Sequence, residues 1–297
     1  MPGVIAIFGA TASGKSATAL EVAGRIGGEI VSCDALQLYD GLPILSNQPT
    51  PAERARVPHH LVAVWPLTDE GDVARYAALA HAAIDGILAR GQVPVVVGGT
   101  GLYLRAALTR LSLPPQPDPA ERDRITAEVD RDGAPASHAR LAALDPDAAA
   151  RIHPNDRRRL IRALELHAVG SSLAPATDEL WSTGARHPTR VFGLAVDRAV
   201  LHERIARRVD AMLDAGALDE VRSALAAGEP SRTASYTVGL AELRAVADGS
   251  LDLATARRRM VERTRQYARR QEIWLRKVPG LVPVTSAAEI VATVPDR

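Results

Sequence analysis

Residues Val4-Ile5-Ala6-Ile7-Phe8-Gly9-Ala10-Thr11-Ala12-Ser13-Gly14-Lys15-Ser16 pass from an apolar run, through two glycines, to a lysine and a serine that open an alanine-rich stretch. The apolar run predicts a buried strand and the alanine-rich stretch a helix. Between them, Gly9 to Ser16 fits the pattern G-x-x-x-x-G-K-[ST], which in that setting predicts a phosphate-binding loop. The glycines let the backbone curl so that successive N–H groups point at one anion, and Lys15 adds a point charge. Ser16 opens a helix whose N-terminus favours negative charge, and its hydroxyl can hold Mg²⁺. The expected ligand is a diphosphate or polyphosphate. The chain carries 36 Lys and Arg, yet Lys15 and Lys277 are its only lysines, so a lysine at this position stands out from an arginine background.

With 297 residues, 46% of them hydrophobic, the chain can bury a sizeable core. A single cysteine rules out an internal disulfide framework, and neither a charged-then-apolar leader nor a long apolar span is present, which predicts a cytoplasmic protein. The net charge of +1 does not by itself signal nucleic-acid binding, although arginines concentrate at 157–162 and 257–276, so a basic face remains open beside the plainer reading of solvated helices.

Apolar runs at 4–8, 29–32, 93–97 and 190–196, with helical patterns between the first three, predict an α/β fold: a parallel sheet wrapped by helices. Leu281-Val282-Pro283-Val284 adds a late strand whose proline suits a sheet edge. Breaks at Leu113–Pro119 and Gly170–Pro188 frame a stretch that reads as helix alone. The expected organisation is a core first part at 1–112, a helical insertion at 113–188, and a core second part at 189–297. Long amphipathic helices are expected at 199–214, 217–227 and 251–276.

Asp34 ends the strand Glu29-Ile30-Val31-Ser32, and in parallel sheets the strand ends face the ligand crevice, where the phosphate loop also lies. Asp34 is therefore a candidate general base or metal-associated carboxylate, with a helix N-cap as the alternative. Cys33 reads as a small buried residue. The run Val93 to Gly98-Gly99-Thr100-Gly101 ends a strand without the aspartate an ordinary ATPase would carry; its glycines permit close backbone approach to a ligand, and Thr100 offers a hydroxyl. That favours group transfer without hydrolytic apparatus. His59-His60, on a segment read as irregular, lack a third ligand at useful spacing and are assigned a structural role. In Arg157-Arg158-Arg159-Leu160-Ile161-Arg162, Arg158 and Arg162 lie one helical turn apart, a spacing that suits two phosphates or a salt-bridged surface.

Seven blocks in order, G-A-T-A-S-G-K-S, C-D-A-L-Q-L-Y, V-P-H-H-L, V-G-G-T-G-L-Y, R-I-H-P-N-D-R-R-R-L-I-R-A-L-E, R-V-D-A-M-L and T-R-Q-Y-A-R-R-Q-E-I-W-L-R, run from Gly9 to Arg276 and resemble the tRNA dimethylallyltransferase family. The resemblance implies transfer of the dimethylallyl group from dimethylallyl diphosphate to N6 of adenosine-37 of tRNA, with Mg²⁺, by a monomer. It implies that Gly9 to Ser16 hold the diphosphate, that Asp34 accepts the proton of the attacking amine, and that Thr100 and Arg208 stabilise the leaving diphosphate. Asp34, Ala35, Leu36, Gln37 and Thr100, together with Arg158, Arg159, Leu160, Ile161 and Arg162, would meet the tRNA, whose anticodon stem the helical insertion would grip. The chain departs from the family pattern at Ala35, at 43–48 and at 239–241, positions that bear on tRNA contacts and substrate choice more than on the reaction type. Two rivals stay open: a nucleoside or small-molecule kinase using the same loop and Asp34, and a non-catalytic tRNA-binding protein.

Overall fold

Strands β1 (Val4–Phe8), β2 (Glu29–Ser32), β3 (His59–His60), β4 (Pro94–Gly98), β5 (Thr189–Leu194) and β6 (Val282–Val284) form one sheet in the order β3-β2-β4-β1-β5-β6, with every neighbouring pair parallel. The computed structural model describes residues 3–111, 118–173 and 184–294. Helices α1 (Lys15–Ile26), α2 (Pro43–Ser46), α3 (Pro51–Arg56), α4 (Val73–Ala89) and α5 (Gly101–Leu108) alternate with the first strands. Then come α6 (Pro119–Asp132), α7 (Ala134–Leu144), α8 (Pro146–Ala150) and α9 (Arg157–Ala168), and after β5 the helices α10 (Arg198–Asp214), α11 (Ala217–Ala227), α12 (Leu240–Ala247), α13 (Leu253–Leu275) and α14 (Ala287–Val291).

The chain divides into two compact units, residues 1–110 with 184–297, and residues 111–183. In the first, Ile5, Ile7, Val95, Val97 and Phe192 pack one sheet face against Val22 and Ala23 of α1 and Ile290 of α14. On α4, Tyr76, Ala80, Ile84 and Ile87 are buried, and the Tyr76 hydroxyl donates to the Ser32 carbonyl at 3.0 Å, tying this helix to β2. Strands β1, β2 and β4 are buried along their whole length, which is why their sequences read as continuous apolar runs rather than alternating ones. The second unit has its own core, built from Ile125 and Val129 of α6, Leu141 of α7 and Leu160 and Leu164 of α9.

Two sheet edges show how local chemistry sets pairing. Among the described residues strand β6 pairs with β5 alone, so Pro283 sits on a sheet edge, where a missing N–H is tolerated. At the other edge, His59-His60 form a short strand against Ile30 and Val31, correcting the expectation of an irregular segment. Their setting is structural: His60 Nε2 lies 2.6 Å from the buried Glu29 carboxylate, which also accepts two bonds from Arg90 at 2.8 Å. Periodicity could not reveal a strand this short. The break at Leu113–Pro119 lies outside the described residues as far as 117, and that at Gly170–Pro188 does so between 174 and 183. Among the described residues no helix is long and apolar enough to cross a membrane.

Candidate active site

The Gly9–Ser16 loop joins the C-terminal end of β1 to the first turn of α1. Its curl depends on two left-handed residues, Ala12 at φ 63° and Gly14 at φ 96°. The first is a position where a side chain is strained, and such outliers cluster at ligand clamps. Gly9 N–H donates to the Gly98 carbonyl at 3.3 Å and Ser13 N–H to the Ala10 carbonyl at 3.2 Å. Lys15 folds back over the loop, its Nζ donating to the Ala10 carbonyl at 3.4 Å.

Two arginines of α10, one turn apart, close on this loop. Arg204 Nη1 donates to the Ser13 carbonyl at 3.3 Å, and Arg208 Nη1 to the Thr11 hydroxyl at 3.4 Å. Burial pushes the Lys15 ammonium down to about 8, with Asp34 opposing the fall and Arg208 adding to it. Burial also lowers Arg208 from the usual guanidinium range, again opposed by Asp34. A loop that gathers desolvated cations in this way stores unfavourable charge that an incoming polyanion neutralises.

This depressed Lys15 predicts a pH dependence. Below about pH 8 the group is protonated and the loop is fully cationic; above it, charge is lost from the free protein. The rate constant kcat/KM for a diphosphate donor should therefore fall as pH rises through about 8. The donor's own last ionisation, at about pH 6, lies well below that limb. A Lys15→Arg variant, whose side chain does not titrate in this range, should keep its remaining activity level across the window; an identical basic limb in that variant would assign the titration elsewhere.

Asp34 follows β2 at the same end of the sheet. Its Oδ1 accepts from Leu36 N–H at 3.0 Å and stabilises a turn, while the next helix, α2, starts only at Pro43. A side-chain cap of this kind coexists with the functional reading, because the carboxylate lines a cavity with Thr11, Arg208 and Tyr267. The rest of that cavity is largely apolar, with Leu45, Ile205, Val209, Met212 and Met260 in its wall. Neighbouring Cys33 is fully buried and burial raises its thiol pKa, so it stays protonated and inert.

Thr100 caps α5 without a side-chain capping bond; its hydroxyl instead lies 3.2 Å from the Tyr267 hydroxyl. The glycines around it serve an unexpected purpose. A Cβ on Gly99 would lie 2.1 Å from Gln271 Nε2, and one on Gly101 would lie 2.5 Å from the Trp274 ring. These glycines thus admit side chains of α13, whereas the sequence suggested close approach of a ligand.

Gln37 is engaged internally, accepting from the Ser32 hydroxyl at 2.9 Å and donating to the Asn47 carbonyl at 2.7 Å. Leu36 lines the cavity, and Ala35 lies in the intervening turn. In the helical unit, Leu160 and Ile161, expected among the tRNA contacts, are 0% and 8% exposed within that unit's core. Their side chains hold α9 in place. Arg158 and Arg159 are exposed, while Arg162 pairs with Glu165 at 3.3 Å, a carboxylate that Arg122 also holds at 2.6 Å.

Spacing alone left Arg204, Tyr267 and Gln271 without roles. The i, i+4 relation of Arg204 and Arg208 was the available signal, but orienting it requires the helix to be docked. Glu220 of α11 is a further such residue: its carboxylate accepts from Ile44 and Leu45 N–H at 2.6 and 3.0 Å, seating α2 beside the cavity.

Residues 37–278 match the IPP transferase family, and residues 2–61 match a second family described as isopentenyl transferase. The chain belongs to the IPP transferase family. It is 48% identical to a tRNA dimethylallyltransferase of Anaeromyxobacter sp. strain Fw109-5, covering 94% of this chain and 93% of the relative. It is 44% identical to the enzyme of that name from Streptomyces coelicolor, over 94% and 88%. The crystal structure of a tRNA isopentenylpyrophosphate transferase from Bacillus halodurans superposes with a TM-score of 0.71 at 33% identity, covering 98% of this chain and 95% of that one. A eukaryotic dimethylallyltransferase crystallised acting on tRNA gives a TM-score of 0.74 at 25% identity, over 99% and 76%. Family membership accounts for the seven ordered blocks together.

Proposed function

We infer that this protein transfers the dimethylallyl group of dimethylallyl diphosphate to tRNA, at N6 of adenosine-37. The observation that carries the reading is the cavity that sets Asp34, Thr11 and Arg208 against an apolar wall of Leu45, Ile205, Val209 and Met260. A branched hydrocarbon fits such a wall, and its diphosphate fits the cationic loop beside Thr11. Loss of the allylic C1–O bond sends negative charge into the Gly9–Ser16 loop, where Lys15 and Arg208 receive it. The weakly nucleophilic amine forms the new N–C1 bond and yields its proton to Asp34. Thr100, held by Tyr267, stands at the same sheet end as a hydroxyl donor toward the leaving group. Catalysis on this reading is positioning, leaving-group stabilisation and one base.

Mg²⁺ fits as a partner of the diphosphate. The Ser16 hydroxyl is exposed at the first turn of α1, and among the described residues no group of three or more His, Cys, Asp or Glu is placed to hold a metal. Mg²⁺ commonly keeps several waters and binds through substrate phosphates rather than an all-protein cage. It would neutralise the leaving diphosphate, with Ser16 as its protein oxygen.

The kinase alternative uses the same loop but leaves the apolar wall without purpose. Incubation with labelled dimethylallyl diphosphate and bulk tRNA should label the RNA, whereas labelled ATP with the same tRNA or with nucleosides should yield no phosphorylated product. Phosphoryl transfer without prenylation would overturn the reading.

The helical unit is assigned to the anticodon stem, with Arg158, Arg159 and Arg162 as phosphate contacts. Arg158→Ala combined with Arg162→Ala should weaken tRNA binding and lower the slope of log Kd against log salt by about one to two, with single-turnover chemistry at saturating tRNA little changed. Titration at several salt concentrations checks this, and an unaltered slope would mark these arginines as a solvated face.

A further inference from the structure

Gln271 lies on α13, far in sequence from the Gly9–Ser16 loop, yet is 2% exposed and buried against it. Its Oε1 accepts the Thr11 backbone N–H at 2.7 Å, while its Nε2 is buried and has no hydrogen-bond partner among the described residues. The carboxamide also fills the space above the β4–α5 turn: a Cβ on Gly99 would lie 2.1 Å from Nε2 and 2.7 Å from the Gly9 carbonyl oxygen. One side chain therefore touches both strand-end loops, that of β1 with the diphosphate cradle and that of β4 with Thr100.

A fully buried site against Gly99 would take methionine or leucine without stranding an amide N–H₂, but either would leave the buried Thr11 N–H without its acceptor. A glutamine with one half of its amide unpaired makes sense only through the other half. The bond to Thr11 N–H holds a residue that is 8% exposed and whose hydroxyl accepts from Arg208 Nη1 at 3.4 Å. We propose that Gln271 is a positioning residue that clamps the Gly9–Ser16 loop to the Gly99–Thr100 turn, setting Thr11 and Arg208 in place before the diphosphate arrives. Without it, the strained Ala12 conformation loses one of the contacts that determine it, and the bound state must first be selected from a broader set of loop conformers.

The proposal rests on the reading of the loop as a diphosphate cradle, and its test separates the two. Binding of inorganic diphosphate is measured by calorimetry for wild type, Lys15→Ala, Gln271→Met and Gln271→Glu, together with Tm and hydrogen exchange of the Thr11 amide. Gln271→Met trades the orphaned Nε2 for an unpaired Thr11 N–H, so it should fold with a Tm near or somewhat below that of wild type, weaken diphosphate at least about tenfold, speed Thr11 exchange, and leave affinity for an anticodon stem-loop unchanged. Gln271→Glu also lacks the orphaned Nε2 but keeps an acceptor, so its Thr11 exchange should stay slow. A folded Gln271→Met that binds diphosphate within about twofold of wild type would reduce Gln271 to packing. Should Gln271→Met not fold, the glutamate variant decides, because fast Thr11 exchange there would overturn the clamp. Normal diphosphate binding by Lys15→Ala would instead overturn the cradle, and the clamp's purpose with it.

Discussion

Replacing Lys15 with alanine is expected to abolish transfer while leaving the protein folded. Lys15 folds over the Gly9–Ser16 loop, which Arg208 also reaches, and on the proposed function these two cations receive the negative charge of the leaving diphosphate. Donors aimed at developing charge in a desolvated site contribute factors of about 10²–10³ each, and here the same group also binds the ground-state donor. The fold should not suffer, because a half-buried, desolvated cation held at about 8 costs folding energy in the free protein. In this case the folded pKa lies below the unfolded one. The wild type therefore gains stability as pH rises from about 8 toward 10.5, where the unfolded chain still holds the proton that the folded lysine has lost. Lys15→Ala should accordingly match or exceed wild-type Tm at neutral pH and lose that advantage across this window. Turnover, circular dichroism and Tm measured on one preparation check both halves. Normal turnover in a folded variant would remove the diphosphate from this loop.

Asp34→Asn is expected to cost about 10²–10⁴ in the single-turnover rate, with tRNA affinity changed far less. The substitution isolates proton acceptance, since an asparagine Oδ1 can keep the bond from Leu36 N–H that holds the turn at 3.0 Å. If the carboxylate served that turn alone, asparagine would replace it and the rate would hardly move. Loss of tRNA binding in parallel with turnover would make Asp34 a holder of the adenine, with proton removal left to water. The charge change also reaches the cations, because Asp34 supports the protonated forms of Lys15 and Arg208. A modest drop in donor affinity should therefore accompany the rate loss, and measuring donor Kd separately keeps the two effects apart.

Much of this protein is legible in one dimension. Strands that are buried along their length appear as apolar runs, glycine and lysine at set spacing announce the loop, and Pro283 marks an edge, because each signal depends on residues adjacent in the chain. Asp34 was found in the same way, as a carboxylate where a strand runs out. The His59-His60 strand escaped this reading because its pairing with Ile30 and Val31, and the bond of His60 to Glu29, join segments that share no local pattern. Leu160 and Ile161 were expected among the tRNA contacts because the block that contains them resembles the family's, and only the core of the helical unit shows that their side chains are turned inward. Gly99 and Gly101 signalled close approach, but what approaches them is Gln271 and Trp274, carried in on a helix from the far end of the chain. Spacing fixes which residues share a face, whereas the direction of that face is decided by burial of apolar surface elsewhere; on that account Arg204, Arg208, Tyr267 and Gln271 join the site only once α10 and α13 are packed against the end of the sheet.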